Sequence, residues 1–408
     1  MSGTIPSGGP VTGADRIAFL DVLRGFAVMA IFIVNIKAMA MPFAYYSNPT
    51  LWASELDQHI ALLQKFLVED KWRTTFTALY GAGLLMISER LIARDDKRRI
   101  LLKRNLWLIV FGAFHLILIW VGDILFIYGV TGLLAMFFVR MRLWLLVVLG
   151  FVMLVLGTAW MGIFAAGPAF DDDLYNKLAP MFWEPTPETL KAEIDAMQGS
   201  IADQIAFRAK EAVGFIGFYF LFGGMWLVSL ALMVLGMAGF KGGLYRGRWP
   251  LRLTLPLAVV ALSAAWALDW VQIGALRASG YDFRVFSLNT WMAMSDGYIG
   301  AFGYACLISA LVSLGLKFGA VAAVGRMAFT NYIACSLIGT TIAGGHAGGL
   351  YGEVSLAFLM VVAIAAFIAM LVWSPLWLRA FHFGPLEWLW RSLVYGKAQP
   401  FVRRGAAL

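Results

Sequence analysis

The side chains best suited to chemistry are an imidazole and a carboxylate, His115 and Asp123, at the far end of the otherwise apolar stretch from Asn105 to Asp123. Their separation is about two helical turns. A carboxylate beside an imidazole can orient the ring and fix its tautomer, fitting His115 to act as a general base. Within hydrocarbon an ionisable side chain is a functional hypothesis by default, whereas a histidine in a soluble core is usually only hydrogen-bonded. Asp123 also suits a plainer role, capping the turn into the helix after Ile124.

A second set is polar and cationic. Arg24, Val28, Ile31 and Asn35 follow i, i+4, i+7, i+11 spacing, so Arg24 and Asn35 share a helix face, with Asp21 one turn earlier. Arg24, Arg104 and Arg326 fall toward one end of their apolar runs, while Asn35, His115, Asp123, Asp269 and Asp296 fall toward the other. Such a gradient suits a phosphate-bearing anion held by guanidinium groups at one end and acid/base chemistry at the other. Lys71 and Arg73, at the entry to the second apolar run, join Asp269, Asp296 and Asn331 as candidates for binding substrate. The competing explanation for Asp21 and Arg24 is an ion pair at the membrane interface, where charges near helix ends cost little.

Lipid must surround whatever positions these residues. The chain has 408 residues, of which 61% are hydrophobic and 14% charged, with a mean hydropathy of +0.78. That is more apolar surface than one soluble core can hide. Runs such as Leu143 to Ala166 and Val354 to Trp373 match the ~20 helical residues needed to cross hydrocarbon, whereas barrel strands would be shorter and alternating. The expected fold is therefore all-α, a polytopic integral membrane protein of about ten transmembrane helices. Spans are placed at roughly 17 to 40, 74 to 89, 105 to 121, 124 to 139, 143 to 166, 213 to 239, 253 to 275, 291 to 316, 319 to 341 and 354 to 376.

Lys and Arg sort the connections. Arg90 to Arg104, Arg140 with Arg142, Lys241 to Arg252, Lys317 and the C-terminal Arg379, Arg391, Lys397, Arg403 and Arg404 fall on one side, which holds about twice the basic residues of the other. Both termini are thus expected in the cytoplasm of a multi-pass inner-membrane protein. The domain plan is a flexible cytoplasmic tail at 1–15, one transmembrane domain at 16–396 with outer loops at about 45–73 and 167–210, and a second cytoplasmic tail at 397–408. The outer loops could form a vestibule, and the amphipathic stretch Glu188 to Glu211 could equally lie at the interface. The net charge of +8 needs no nucleic-acid partner, because basic loops facing anionic lipid are the ordinary membrane pattern. Cys306 and Cys335 both sit in apolar runs and read as small hydrophobes. There is no Gly-x-x-x-x-Gly-Lys loop, no His-Glu-x-x-His pair and no Cys/His cluster, so no metal is expected. Gly81-Ala82-Gly83 and Gly223-Gly224 suit close helix packing.

Five marks in order carry a resemblance. They are Arg16-Ile-Ala-Phe-Leu-Asp21-Val-Leu-Arg24-Gly25 with Val34-Asn35, Lys71-Trp-Arg73 through Gly81-Ala-Gly83, His115 with Gly122-Asp123-Ile124-Leu125, Gly325-Arg326-Met327-Ala-Phe-Thr330-Asn331-Tyr332, and Phe383-Gly384-Pro385-Leu386-Glu387-Trp388-Leu-Trp390-Arg391. The chain resembles the YeiB-like family of bacterial inner-membrane proteins, whose function is unknown. By its Asp-x-x-Arg-Gly start and Val-Asn pair, that family is similar to a wider superfamily of transmembrane acyltransferases. The superfamily includes the lysosomal heparan glucosaminide acetyltransferase and bacterial glycan O-acyltransferases. The lysosomal enzyme's catalytic histidine follows its first helix, where this chain has Tyr45-Tyr46-Ser47-Asn48; His59 is nearby but outside any matching motif.

The resemblance implies an acyltransferase that takes its acyl group from cytoplasmic acyl-CoA, with no metal, and passes it to a periplasmic or lipid-linked hydroxyl or amine. Arg24 and Arg326, with Arg104 and Arg391, would hold the donor; His115, Asp123 and Asn35 would do the chemistry. Expected partners are the lipid bilayer, acyl-CoA and an acceptor that is a glycan, a lipid or a small molecule, and a homodimer is allowed. The alternative is a transporter or channel for a small anionic solute, because intramembrane charges and glycine-rich helices suit transport too.

Overall fold

A computed structural model describes residues 18–91, 97–222 and 224–403. The expected tail at 1–15, Arg16, Arg94, Gly223 and the last residues from Arg404 lie outside the described residues. In chain order the α-helices are α1 (Ala18–Ala40), α2 (Ala44–Ser47), α3 (Glu55–Leu67), α4 (Lys71–Arg90), α5 (Lys97–Phe114), α6 (Leu125–Ala135), α7 (Leu143–Ala166), α8 (Asp172–Phe182) and α9 (Pro187–Gln198). There follow α10 (Ile201–Gly217), α11 (Met225–Lys241), α12 (Leu251–Ala278), α13 (Phe283–Ser313), α14 (Gly319–Arg326), α15 (Ala328–Ala343), α16 (Leu356–Ala380) and α17 (Pro385–Tyr395). The protein is an all-α, polytopic membrane protein.

Among the described residues, six helices are long and apolar enough to cross a bilayer: α1, α5 with its continuation to Ile119, α7, α12, α13 and α16. Counting the bent pairs α10–α11 and α14–α15 as one span each raises the number to eight. Of the ten expected runs, those at 74 to 89 and 124 to 139 are the two not among these. Helix α4 begins with Lys71 and Arg73, ends with Glu89 and Arg90, and buries Thr74, Thr75 and Thr77. At 11 residues α6 is too short, since about 20 are needed. Both helices are largely covered by their neighbours, so neither has to match the bilayer's thickness. The run at 319 to 341 is also not straight, because α14 and α15 meet at a bend of 82°.

Helices α4 and α11 touch backbone to backbone. A Cβ on Gly81 would lie 2.0 Å from the Met233 carbonyl oxygen, and one on Gly236 would lie 1.9 Å from that of Ala78. Small residues at such a crossing replace side-chain packing with close helix approach.

The segments expected as outer loops are helical and dock on one another. Ser54 caps α3 through the Asp57 N–H, and Ser200 with Asp203 forms a reciprocal capping box at α10. Asn48 Nδ2 donates to the Trp183 carbonyl at 2.9 Å, joining the first segment to the second. Glu193 of α9 accepts from Tyr351 Oη at 2.6 Å and from the Phe43 N–H at 3.2 Å. Together these segments cap the C-terminal end of α1.

Burial pushes the Glu193 carboxyl above its ordinary value of 4.5, with the Tyr351 and Phe43 hydrogen bonds opposing the rise. A raised folded value means that this group's stabilisation is complete below 4.5 and is lost as pH climbs through the folded value. Hydrogen exchange in α9 should therefore quicken as pH rises above 4.5, after correction for intrinsic exchange. Glu193→Gln should flatten that dependence; an unchanged slope in the variant would assign it to another group.

Candidate functional site

Five arginines from five helices surround one cavity at the N-terminal end of α1. Arg24 of α1, Arg90 of α4, Arg104 of α5, Arg326 of α14 and Arg391 of α17 line a space of about 180 Å³. Four of them, Arg24, Arg104, Arg326 and Arg391, are the residues that sequence reasoning assigned to the donor; Arg90 is the addition. Arg24 Nη1 lies 3.3 Å from Asp21 Oδ1, and its guanidinium packs over Gly83, where a Cβ would come within 3.4 Å. Arg104 stacks over the Trp390 ring at 3.9 Å and Arg391 over the Phe383 ring at 4.7 Å. Stacking holds the planar groups without consuming their N–H donors. Among the described lining residues Glu387 is the acidic one, so the cavity attracts anions.

A second cavity, about 350 Å³, lies at the other end of α1 beneath the capping helices. Asn35, Lys37, Lys65, Glu69, Asp70, Arg73 and Asp123 supply its polar lining. Arg73 Nη2 donates to Asp70 Oδ1 at 2.7 Å, and Lys37 Nζ donates to the Tyr46 carbonyl at 3.0 Å. Arg24 and Asn35 are roughly 16 Å apart along α1, so the two cavities occupy opposite halves of the bundle. Tyr128 lines both of them. Its hydroxyl is 2.6 Å from Thr77 Oγ1 and donates to the Arg73 carbonyl at 3.3 Å.

His115 and Asp123 stand beside this partition. Nδ1 of His115 is 2.8 Å from Asp123 Oδ1, with the two side chains 1% and 0% exposed. The other carboxylate oxygen accepts the Phe126 N–H at 2.6 Å. One oxygen thus orients the imidazole while the other caps α6, so the two roles weighed for Asp123 coexist. Where the Nδ1–H of a neutral imidazole donates to Asp123, Nε2 carries the lone pair. Nε2 is buried and has no hydrogen-bond partner among the described residues.

The backbone here is also unusual: His115–Ile119 is a π-helical turn, a feature frequent at functional sites. Arg208 of α10 donates to the Ile117 carbonyl at 3.3 Å, tying the capping helices to that turn. His115 lines neither cavity. It is flanked by Trp120, which lines the 350 Å³ cavity, and Tyr332, which lines the 180 Å³ one, with ring centroids at 6.4 and 5.2 Å.

The remaining candidates are engaged elsewhere. Lys71 Nζ contacts Asp269 Oδ2 at 2.9 Å and Asp296 Oδ1 at 3.5 Å, and Lys65 Nζ lies 3.6 Å from Asp296 Oδ2. Lys71, Asp269 and Asp296 form a buried ion cluster that lines neither cavity, with Lys65 as its member facing the larger one. Asn331 donates to the Val324 carbonyl at 3.1 Å and to Ser374 Oγ at 3.2 Å, and accepts from Trp373 Nε1 at 3.0 Å. These bonds tie the α14–α15 bend to α16. No group of three or more His, Cys, Asp or Glu side chains suited to a metal ion occurs among the described residues.

Residues 239–397 match the family described as Protein of unknown function (DUF418). The uncharacterized protein YeiB of Escherichia coli is 30% identical over 420 residues, covering 96% of this chain and 99% of the relative. The chain belongs to the YeiB-like DUF418 family. The uncharacterized protein YxaH of Bacillus subtilis is 27% identical, covering 97% and 98%. An uncharacterized 39.9 kDa protein of Bacillus acidopullulyticus is 26% identical, covering 98% and 99%.

Each of the five marks quoted from the sequence contributes a residue to the arginine cavity: Arg24, Gly83, Leu125, Arg326 and Arg391. A Cβ on Gly25 would lie 2.1 Å from the Val321 carbonyl oxygen and one on Gly325 1.8 Å from that of Asp21, so the first and fourth marks cross backbone to backbone. The fourth and fifth are joined by Glu387, which accepts the Phe329 N–H at 2.7 Å, the Thr330 N–H at 3.1 Å and Thr330 Oγ1 at 2.5 Å. A carboxylate from α17 thereby caps the N-terminus of α15. Sequence reasoning quoted Glu387 in a mark but gave it no role; its capping partners lie 57 and 58 residues away.

Proposed function

We propose that this YeiB-like protein is a membrane-embedded acyltransferase that takes an acyl group from acyl-CoA at the arginine cavity and passes it to a hydroxyl or amine at the opposite face. The observation that carries this reading is an imidazole fixed by a carboxylate, with Nε2 unpartnered among the described residues, flanked by Tyr332 of the cationic cavity and Trp120 of the mixed polar one. The arginine cavity, about 180 Å³, is too small for a whole acyl-CoA. It suits the diphosphate or the pantetheine arm, with the nucleotide over the basic face. Displacement of Tyr332 or Trp120 would open Nε2 to the acceptor, whose proton it would take as the acceptor oxygen or nitrogen bonds to the thioester carbon; the C–S bond then breaks and CoA leaves as the thiol, with Asn35, which lines the far cavity, stabilising the oxyanion. Density for a bound CoA ester should be elongated and lie beside Arg24 and Arg326. A small solute at Tyr128 would instead support transport.

Transport of a small anion is the second reading, favoured by Tyr128 lining both cavities. It gives the His115–Asp123 pair no task.

The orientation belongs to the same proposal, with the arginine cavity facing the cytoplasm. Asp172 is 81% exposed beyond the far end of α7. In intact cells a cysteine placed there should react with an impermeant maleimide added outside. Reaction only after the membrane is breached would invert the orientation.

A further inference from the structure

A groove of about 1110 Å³ runs up the outside of the bundle between α7 and α13, floored by α11. It extends from Leu143 to Ile163, roughly 30 Å along α7 and so close to the full hydrocarbon thickness. Phe151, Val155 and Trp291 on its walls are each more than a third exposed. Helix α7 has 22% of its apolar window buried, the least of the six single-helix spans, so bilayer lipid is what meets this face.

An ordinary lipid-facing surface is apolar throughout, and this one is not. Thr74 lines the groove, is 2% exposed, and its Oγ1 has no hydrogen-bond partner among the described residues. Beside it in the lining, Thr158 Oγ1 donates to Tyr298 Oη at 3.3 Å. A buried hydroxyl left unpaired is costly, and an acceptor oxygen arriving from the groove would remove that cost.

We propose that the groove binds one membrane lipid, its acyl chain lying along α11 and an ester or hydroxyl oxygen accepting a hydrogen bond from Thr74. The residues just before Thr74 and Ser295, Arg73 and Met294, line the 350 Å³ cavity. The lipid's polar region therefore sits one helix wall from that cavity. The site stands on its own geometry and does not depend on acyl transfer.

The test is native mass spectrometry of the full chain, delipidated in detergent and titrated with phosphatidylglycerol. Wild type should retain one tightly held lipid. Thr74→Val should weaken it about fivefold, the worth of one neutral hydrogen bond, and Thr74→Ser should keep it. Ala159→Trp, which fills the groove, should abolish it, while Val260→Trp on the exposed face of α12 should not. Melting curves confirm that each variant is folded. Equal retention by wild type and Ala159→Trp would overturn the site, as would a cross-linked second copy of the chain covering the groove.

Discussion

Replacing His115 by alanine should leave a folded protein that still binds a CoA ester but turns over ~10²- to 10⁴-fold more slowly, the usual share of general acid/base catalysis. The geometry supports both halves of that expectation. Nε2 makes no hydrogen bond among the described residues, so its loss breaks none there. Nδ1 has one bond, to Asp123, whose second oxygen keeps α6 capped in the variant. The change strands a buried Asp123 oxygen in either case and lowers the melting temperature somewhat, so turnover per folded molecule is the readout that decides, and it would hold if the histidine were only structural. Asp123→Asn sharpens the comparison. The amide oxygen can still accept from Phe126, so the cap survives, but the amide nitrogen donates to Nδ1 and moves the imidazole proton to Nε2. A rate loss of the same order as His115→Ala, ~10²- to 10⁴-fold, is expected with little change in stability.

The second large effect concerns the arginine cavity. Arg24→Ala and Arg326→Ala should each weaken binding of a CoA ester by ~1.5–3 kcal/mol, the worth of a charge-assisted hydrogen bond, or about 10- to 150-fold in Kd. Arg24→Lys should restore only part, because an ammonium lacks the planar fork that fits a phosphate and stacks over a ring. The loss should shrink at high salt, since ions screen part of the attraction. Unchanged affinity in folded Arg24→Ala protein would make Arg24 an interfacial anchor paired with Asp21. Acetyl-CoA and desulfo-CoA, titrated against the purified protein, serve as probes.

How far the sequence reached follows from how each residue is satisfied. The four arginines expected at the donor do line one cavity: a charge inside an apolar run is visible in sequence, and hydrocarbon forces such charges together. The His115–Asp123 contact was legible for a different reason, being only 8 residues long in sequence. Lys71, Asp269 and Asp296 stood out equally, yet their use for one another did not, because these partners are 198 and 225 residues apart. Tyr128 gave no signal: an aromatic in the run Phe126-Ile127-Tyr128-Gly129 reads as core until two cavities meet at its ring. Hydropathy also cannot tell a helix surrounded by lipid from one surrounded by helices, and α6 is the latter.

Release of CoA thiol from acetyl-CoA, followed with a thiol-reactive dye on protein reconstituted in vesicles with the arginine cavity facing the added donor, tests the central claim most directly. Wild-type protein should release thiol above the lipid-only background, and His115→Ala should lose that release while keeping its affinity for acetyl-CoA. Equal release by wild type and His115→Ala, or none from wild-type protein that instead carries a small anion across the vesicle membrane, would contradict it.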